Sequence, residues 1–131
     1  MSIRDPDFPD ALCDFMQLCT PSVEAVELLL ALARGPDRSW TVPELAQTLH
    51  PAVVSEGAVR DYLNGFTSCG VAEKLADGRY AYREQDSATA EVIAALEKAY
   101  NERPVSLVRL IYALKDKKIR SFADAFKLRK G

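Results

Sequence analysis

The chain of 131 residues has few of the side chains on which most catalytic and metal sites depend. It contains one histidine, His50, which precedes a proline, and three cysteines, none of them in a C-x-x-C arrangement. A zinc site of the usual ligand spacing needs more such ligands. Neither a glycine-rich phosphate loop nor a nucleophile elbow occurs. We therefore expect no enzymatic activity, no bound metal and no cofactor.

The three cysteines, Cys13, Cys19 and Cys69, do not suggest a disulfide framework. Their odd number and irregular spacing predict reduced, partly buried thiols. Cys13 and Cys19 are six residues apart, so they would point to different faces of a helix, which argues against a redox pair. A ligand-sensing or redox-sensing role would rest on these scattered cysteines alone.

Long apolar runs are also missing. The longest apolar stretch, residues 23–33, is interrupted by Glu24 and Glu27 and is too short and too charged to span a bilayer. The N-terminus has no basic-then-apolar signal pattern. We therefore expect a soluble, cytoplasmic protein without membrane contact.

Charge is distributed unevenly along a chain whose net charge is only −2. Residues 1–102 carry 8 Lys/Arg against 17 Asp/Glu, a net charge of −9, whereas residues 103–131 carry 9 against 2, a net charge of +7. The sequence thus combines an acidic body with a basic C-terminal tail, which is its strongest electrostatic feature.

Apolar spacing and capping residues predict a mainly α-helical fold with one small β-hairpin. One helix is expected to begin at Thr20-Pro21, because threonine is a good N-cap and proline suits the first helical position. Thr41 and Glu44 have the spacing of a capping box, and Ser55 is expected to cap the following helix. Asp77-Gly78, between the short strands expected at 71–75 and 79–83, indicates a hairpin turn.

The predicted order of elements is helix, short strand, helix, turn, helix and hairpin. This order resembles the winged helix-turn-helix superfamily of bacterial transcription regulators. The resemblance covers about half the chain. The segments that carry it are Trp40–Ala46, Ser55–Leu63, Gly70–Lys74 and Asp77–Tyr82. The superfamily also includes modules that bind only proteins, so the resemblance is more specific for fold than for function. The predicted division is an N-terminal loop and short helix at 1–19, a winged helix-turn-helix domain at 20–85 and a helical extension with the basic tail at 86–131.

The resemblance implies a surface for double-stranded DNA. In DNA-binding members the helix after the turn enters the major groove and the hairpin wing touches the backbone. By position, the groove-facing side chains would be Ser55, Arg60, Asn64 and Thr67. Arg60 is suited to guanine and Asn64 to adenine. The expected phosphate contacts on the wing are Lys74, Arg79 and Arg83.

Acidic side chains weaken this expectation. Glu56 and Asp61 lie on the same predicted helix and would repel phosphate, and Glu56 can instead form an i, i+4 pair with Arg60. The basic tail can supply the missing attraction, or it can balance the acidic body of the same or a neighbouring subunit. The tail residues assigned to DNA are Lys117, Lys118, Arg120, Lys127, Arg129 and Lys130.

Two functions therefore remain open from the sequence. The favoured one is a DNA-binding transcriptional regulator that acts as a homodimer through its terminal helices. The alternative is a protein-protein interaction module on the same scaffold, without DNA binding. The predicted interface side chains are Phe15, Met16, Leu107, Leu110, Ile111, Leu114, Phe122 and Phe126.

Overall fold

Helices make up most of the chain in a computed structural model, which describes residues 8–49, 54–83 and 86–116. The helices are α1 (Asp10–Cys19), α2 (Val23–Arg34), α3 (Val42–Thr48), α4 (Glu56–Ser68), α5 (Ser87–Glu102) and α6, whose described part covers residues 104–116. The strands are β1 (Ser39–Trp40), β2 (Ala72–Lys74) and β3 (Tyr80–Tyr82). The predicted mainly helical fold with a small β-hairpin is confirmed, and β1 adds a third strand to that hairpin.

The three short strands form one antiparallel sheet in the order β1-β3-β2. Trp40 pairs with Tyr80 on one side of β3, and Lys74 pairs with Tyr80 on the other. The Asp77-Gly78 turn closes the predicted hairpin. Gly78 has φ +88°, a conformation that favours glycine. The strands are shorter than predicted.

The N-cap of α2 is Ser22, and the prediction that this helix begins at Thr20-Pro21 was wrong. The Ser22 hydroxyl accepts a hydrogen bond from the Ala25 N–H at 3.1 Å and donates one to the Tyr62 hydroxyl at 3.0 Å. Thr20 is instead buried between α1 and α2. Ser22 rather than Thr20 caps the helix because its hydroxyl binds an otherwise unpaired helical N–H and also links α2 to Tyr62 on α4.

Local capping signals elsewhere were predicted correctly. The Thr41 hydroxyl accepts from the Glu44 N–H at 3.3 Å, and the Glu44 carboxylate accepts from the Thr41 N–H at 2.8 Å. Ser55 caps α4 through the Ala58 N–H. Arg103 caps the C-terminus of α5, and α6 begins at Pro104, where a missing N–H costs little.

One continuous core lies beneath all six helices of the described chain. Leu29 of α2, Phe66 of α4 and Leu96 of α5 are completely buried within it. α6 contributes to the same core. Its inward side chains Leu107, Leu110, Ile111 and Leu114 are 2–6% exposed.

This burial corrects the predicted interface. Those four side chains of α6, together with Met16 at 1% exposure, are already covered within a single chain. They cannot also form a partner surface unless the fold opens. Phe15 is partly buried against the same core. The sequence showed correctly that the α6 segment must be covered, but not that its own chain covers it.

A disulfide joins Cys19 at the end of α1 to Cys69 at the end of α4. The Cα atoms of the two cysteines are 6.2 Å apart, an ordinary spacing for this bond. The expectation that all three thiols are reduced is therefore wrong, because the fold brings together two cysteines separated by 50 residues. Cys13 is buried and outside the disulfide. The predicted cytoplasmic location stays a prediction.

None of the described helices alone has the length and apolar composition needed to cross a membrane. Asp10–Cys19 and Val23–Arg34 reach those values only when taken together, and they are bent by 100° at the break between them.

Candidate nucleic-acid interface

The outer face of α4 is polar because its apolar residues recur on one stripe only. Val59, Leu63 and Phe66 form that stripe and are completely buried. The four side chains that the sequence assigned to a DNA groove are all exposed on the helix or at its N-cap: Ser55, Arg60, Asn64 and Thr67. All four side chains are therefore accessible to solvent, and their common role in a DNA groove stays a prediction.

Two of these four side chains are already engaged in local hydrogen bonds. The Ser55 oxygen accepts from the Ala58 N–H at 3.1 Å, which leaves its own O–H free to donate. The Thr67 hydroxyl donates to the Leu63 carbonyl at 2.9 Å. Ser55 can thus donate to a phosphate, whereas Thr67 can offer only its remaining acceptor capacity.

Asn64 connects α4 to the β-hairpin. Its Oδ1 accepts a hydrogen bond from the Tyr80 hydroxyl at 3.1 Å, although the Tyr80 ring is buried. One lone pair of Oδ1 is therefore occupied, and the amide NH2 remains as a donor. A bidentate contact of Asn64 with adenine, as the resemblance implies, would have to use the same Oδ1 that already accepts from Tyr80. The hydrogen bond from Tyr80 also fixes the hairpin against the outer face of α4.

Arg60 is exposed, and no salt bridge connects it to Glu56 among the described parts of the chain. The alternative i, i+4 pair is thus not formed in this structure. Glu56 and Asp61 are also exposed, so two carboxylates flank one guanidinium on the same helix.

The basic side chains of the hairpin lie in different surroundings. Lys74 is exposed, with its Nζ 6.0 Å from the centre of the Tyr80 ring. Arg83 is also exposed, and its backbone N–H donates to the Val71 carbonyl. Arg79 lies 3.6 Å from Glu44 and 3.4 Å from Asp77, so its charge is partly balanced within the chain.

Glu44 is the centre of a small charged cluster that the sequence did not reveal. Besides capping α3, its carboxylate lies 3.4 Å from Arg38 and 3.6 Å from Arg79. The guanidinium of Arg38 in turn stacks 3.7 Å from the centre of the Trp40 ring. The capping spacing was visible in the sequence, but the ion pair between Arg79 and Glu44 depends on the approach of the hairpin to α3.

Hydrogen bonding to Glu44 has an electrostatic consequence. The pKa of its carboxyl lies below the ordinary value of 4.5, first because the Thr41 backbone N–H and then because the Thr41 hydroxyl bind the ionised form. Arg38 and Arg79 lower the pKa further. The carboxylate therefore remains charged at mildly acidic pH, and its ion pair with Arg79 is retained there.

Several predicted residues lie outside the described chain. They are the tail residues Lys117, Lys118, Arg120, Lys127, Arg129 and Lys130, the aromatic residues Phe122 and Phe126, and His50. The assignment of the tail to DNA and of the two phenylalanines to an interface stays a prediction.

Within residues 8–49, 54–83 and 86–116, no group of three potential metal-ligating side chains comes together. Comparison with known proteins adds no relative, since no protein-family model, curated protein or solved structure matches the chain.

Proposed function

We propose that residues 20–85 form a winged helix-turn-helix and that the protein binds double-stranded DNA through it. The succession of α2, β1, α3, α4 and the β2–β3 hairpin supports this assignment, as does the pairing of β1 with β3. In such a module α4 would enter the major groove and the hairpin would contact the phosphate backbone.

The observation that carries the proposal is the hydrogen bond between Tyr80 and Asn64. It joins the polar face of α4 and the hairpin into one surface, which we call the α4–hairpin surface. Arg60 presents a guanidinium on the helix side, and Lys74 and Arg83 present cations on the hairpin side. This separation of one groove-facing cation from two flanking cations suits a helix in the groove with a wing on the backbone.

The charge balance of the α4–hairpin surface predicts modest affinity. Glu56, Asp61 and Glu73 are exposed alongside the three cations, so few phosphates are neutralised by this surface alone. We infer that the basic segment after residue 114 contributes further phosphate contacts and that a homodimer doubles them. Binding should therefore weaken steeply with added salt.

A duplex titration tests the proposal. Fluorescence anisotropy of a labelled mixed-sequence duplex, recorded with the full chain between about 50 and 200 mM salt, gives the slope of log K against log salt. We expect Lys74→Ala to reduce the magnitude of this slope by about 0.9, the value for one phosphate contact. We expect Arg60→Ala also to weaken binding, because it removes the cation that α4 would carry into the groove.

Lys98→Ala is the matched control, because it removes an exposed cation from α5 rather than from the α4–hairpin surface. It should leave both the affinity and the slope nearly unchanged. If the full chain binds no duplex at low salt, or if all three variants weaken binding equally, the proposed surface is wrong.

A second candidate function, protein-protein interaction on the same scaffold, is favoured by a different observation. Three large apolar side chains are strongly exposed: Leu18 on α1 at 78%, and Val105 and Tyr112 on α6 at 64% and 65%. Val105 and Tyr112 are seven residues apart and so share one helix face. If Arg60→Glu changes nothing measurable on DNA, this second function becomes the better account.

A further inference from the structure

A partly open apolar pocket lies between α2, α5 and α6. Its volume is about 320 Å³, which falls at the lower end of the range for small-molecule sites. Val26, Leu107 and Ile111, all nearly inaccessible, form its inner wall, and Val23, Tyr100 and Val108 lie at its margin. The pocket can therefore accommodate a compact apolar group of one ring.

One edge of this pocket is polar. The Tyr100 hydroxyl donates a hydrogen bond to Glu27 Oε2 at 2.7 Å. This bond raises the pKa of Tyr100, so the phenol stays protonated and remains a donor. Glu27 does not itself line the pocket, but this bond brings its carboxylate to Tyr100, which does. In the described chain, the second oxygen of Glu27 has no hydrogen-bond partner.

Glu27 forms no salt bridge among the described residues, although the charge of Arg34 also reaches Tyr100 and acts to lower its pKa. The nearby cation Arg34 is engaged with Glu97 at 2.9 Å on the neighbouring helix. Glu24 adds a further negative charge near the start of α2. An acidic edge on an apolar pocket attracts a positive group and repels an anion.

We propose that this pocket binds a small lipophilic cation, an apolar ring or branched alkyl group that carries an ammonium. The apolar part would fill the space against Val26, Leu107 and Ile111. The ammonium would lie between the free oxygen of Glu27 and the face of the Tyr100 ring, where carboxylate attraction and a cation–π contact both favour it. The proposal does not depend on DNA binding.

Three probes of similar ring size and different charge test the ligand class. Benzyltrimethylammonium chloride, benzyl alcohol and sodium phenylacetate are titrated into the full chain, and binding is followed by backbone amide shifts in NMR spectra. We expect the cation to bind about tenfold more tightly than the neutral alcohol, and the anion to bind more weakly than either. Shifts should concentrate on α2, the end of α5 and the start of α6.

Glu27→Gln is the decisive variant, because glutamine can still accept the Tyr100 hydrogen bond but carries no charge. It should reduce the affinity for the cation to that for benzyl alcohol. Glu91→Gln is the control, because it removes an exposed carboxylate from α5 that is not hydrogen-bonded to Tyr100, and it should leave the affinity for the cation unchanged. Val108→Phe should fill the pocket and abolish binding of both probes. If Val108→Phe fails to fold, Glu27→Gln still decides the question.

Three outcomes would overturn the proposal. The first is that the cation causes no saturable shifts at millimolar concentration. The second is that phenylacetate binds as tightly as the cation. The third is that Glu27→Gln leaves the preference for the cation intact.

Discussion

The α4–hairpin surface and the pocket between α2, α5 and α6 share one core, yet they present opposite chemistry. On α4 the buried side chains occupy one stripe, and the remaining face is polar. On α6 the apolar residues continue around the helix, so Val105 and Tyr112 stay exposed and Val108 borders the pocket. The width of the apolar stripe therefore decides whether a helix offers a charged contact surface or an apolar cavity.

The largest effect should come from removing the support of α4. Phe66 is completely buried beneath the α4–hairpin surface, so Phe66→Ala should lower the free energy of unfolding by about 3–5 kcal/mol. Leu107→Ala should cost less, about 2–3 kcal/mol, because that side chain already borders the pocket and makes fewer contacts on that side. Denaturant unfolding with a common m-value measures both. A larger loss for Leu107→Ala than for Phe66→Ala would mean that the core beside the pocket contributes more to the free energy of unfolding than the core beneath α4.

The next effect concerns the covalent link between α1 and the end of α4. Removing the disulfide with Cys19→Ser or Cys69→Ser should lower the free energy of unfolding by about 2–4 kcal/mol, since the bond restricts a long loop in the unfolded chain. Reducing the unmodified protein should produce a similar loss. Cys13→Ser is the control for thiol substitution, because Cys13 lies outside the bond and its variant should still respond to reductant. Equal stability before and after reduction would contradict a disulfide in solution.

Local signals in the sequence were sufficient for most of the secondary structure. Thr41 with Glu44, Ser55, and Asp77 with Gly78 each act within a few residues, so their spacing alone predicts a cap or a turn. The shift of the α2 cap from Thr20 to Ser22 shows the limit of this approach. Both residues are good caps, and the choice between them involves Tyr62 on a distant helix.

Long-range pairings were not predictable in the same way. Cys19 and Cys69 meet only because α1 and α4 pack together. Arg79 was correctly placed on the hairpin, but its ion pair with Glu44 depends on how that hairpin approaches α3. The apolar spacing of α6 showed that it must be covered, and only the tertiary fold identifies the cover as its own chain. The positions of candidate groups followed from the sequence, whereas their partners did not.

The smallest effect, and the one that links stability to the α4–hairpin surface, involves Glu44. Its pKa in the folded state is below the ordinary value of 4.5, so its contribution to stability is present above that value and is lost as the pH falls through the lowered pKa. Glu44→Gln can still accept the capping hydrogen bond but cannot titrate. We therefore expect the Tm of Glu44→Gln to fall less steeply than that of the unmodified protein between about pH 5 and pH 3.

Asp86 provides the control for this measurement, because its pKa is lowered in the same direction by the Thr89 N–H it caps on α5. Asp86→Asn should also flatten the pH profile of the Tm, but it should leave Arg79 and duplex binding untouched.

Glu44→Gln should in addition release Arg79 and strengthen binding to a duplex at neutral pH. Parallel pH profiles for Glu44→Gln and the unmodified protein would show that the cap does not stabilise through its charge. A duplex affinity unchanged by Glu44→Gln would show that Arg79 lies off the contact surface, which would then rest on Arg60, Lys74 and Arg83.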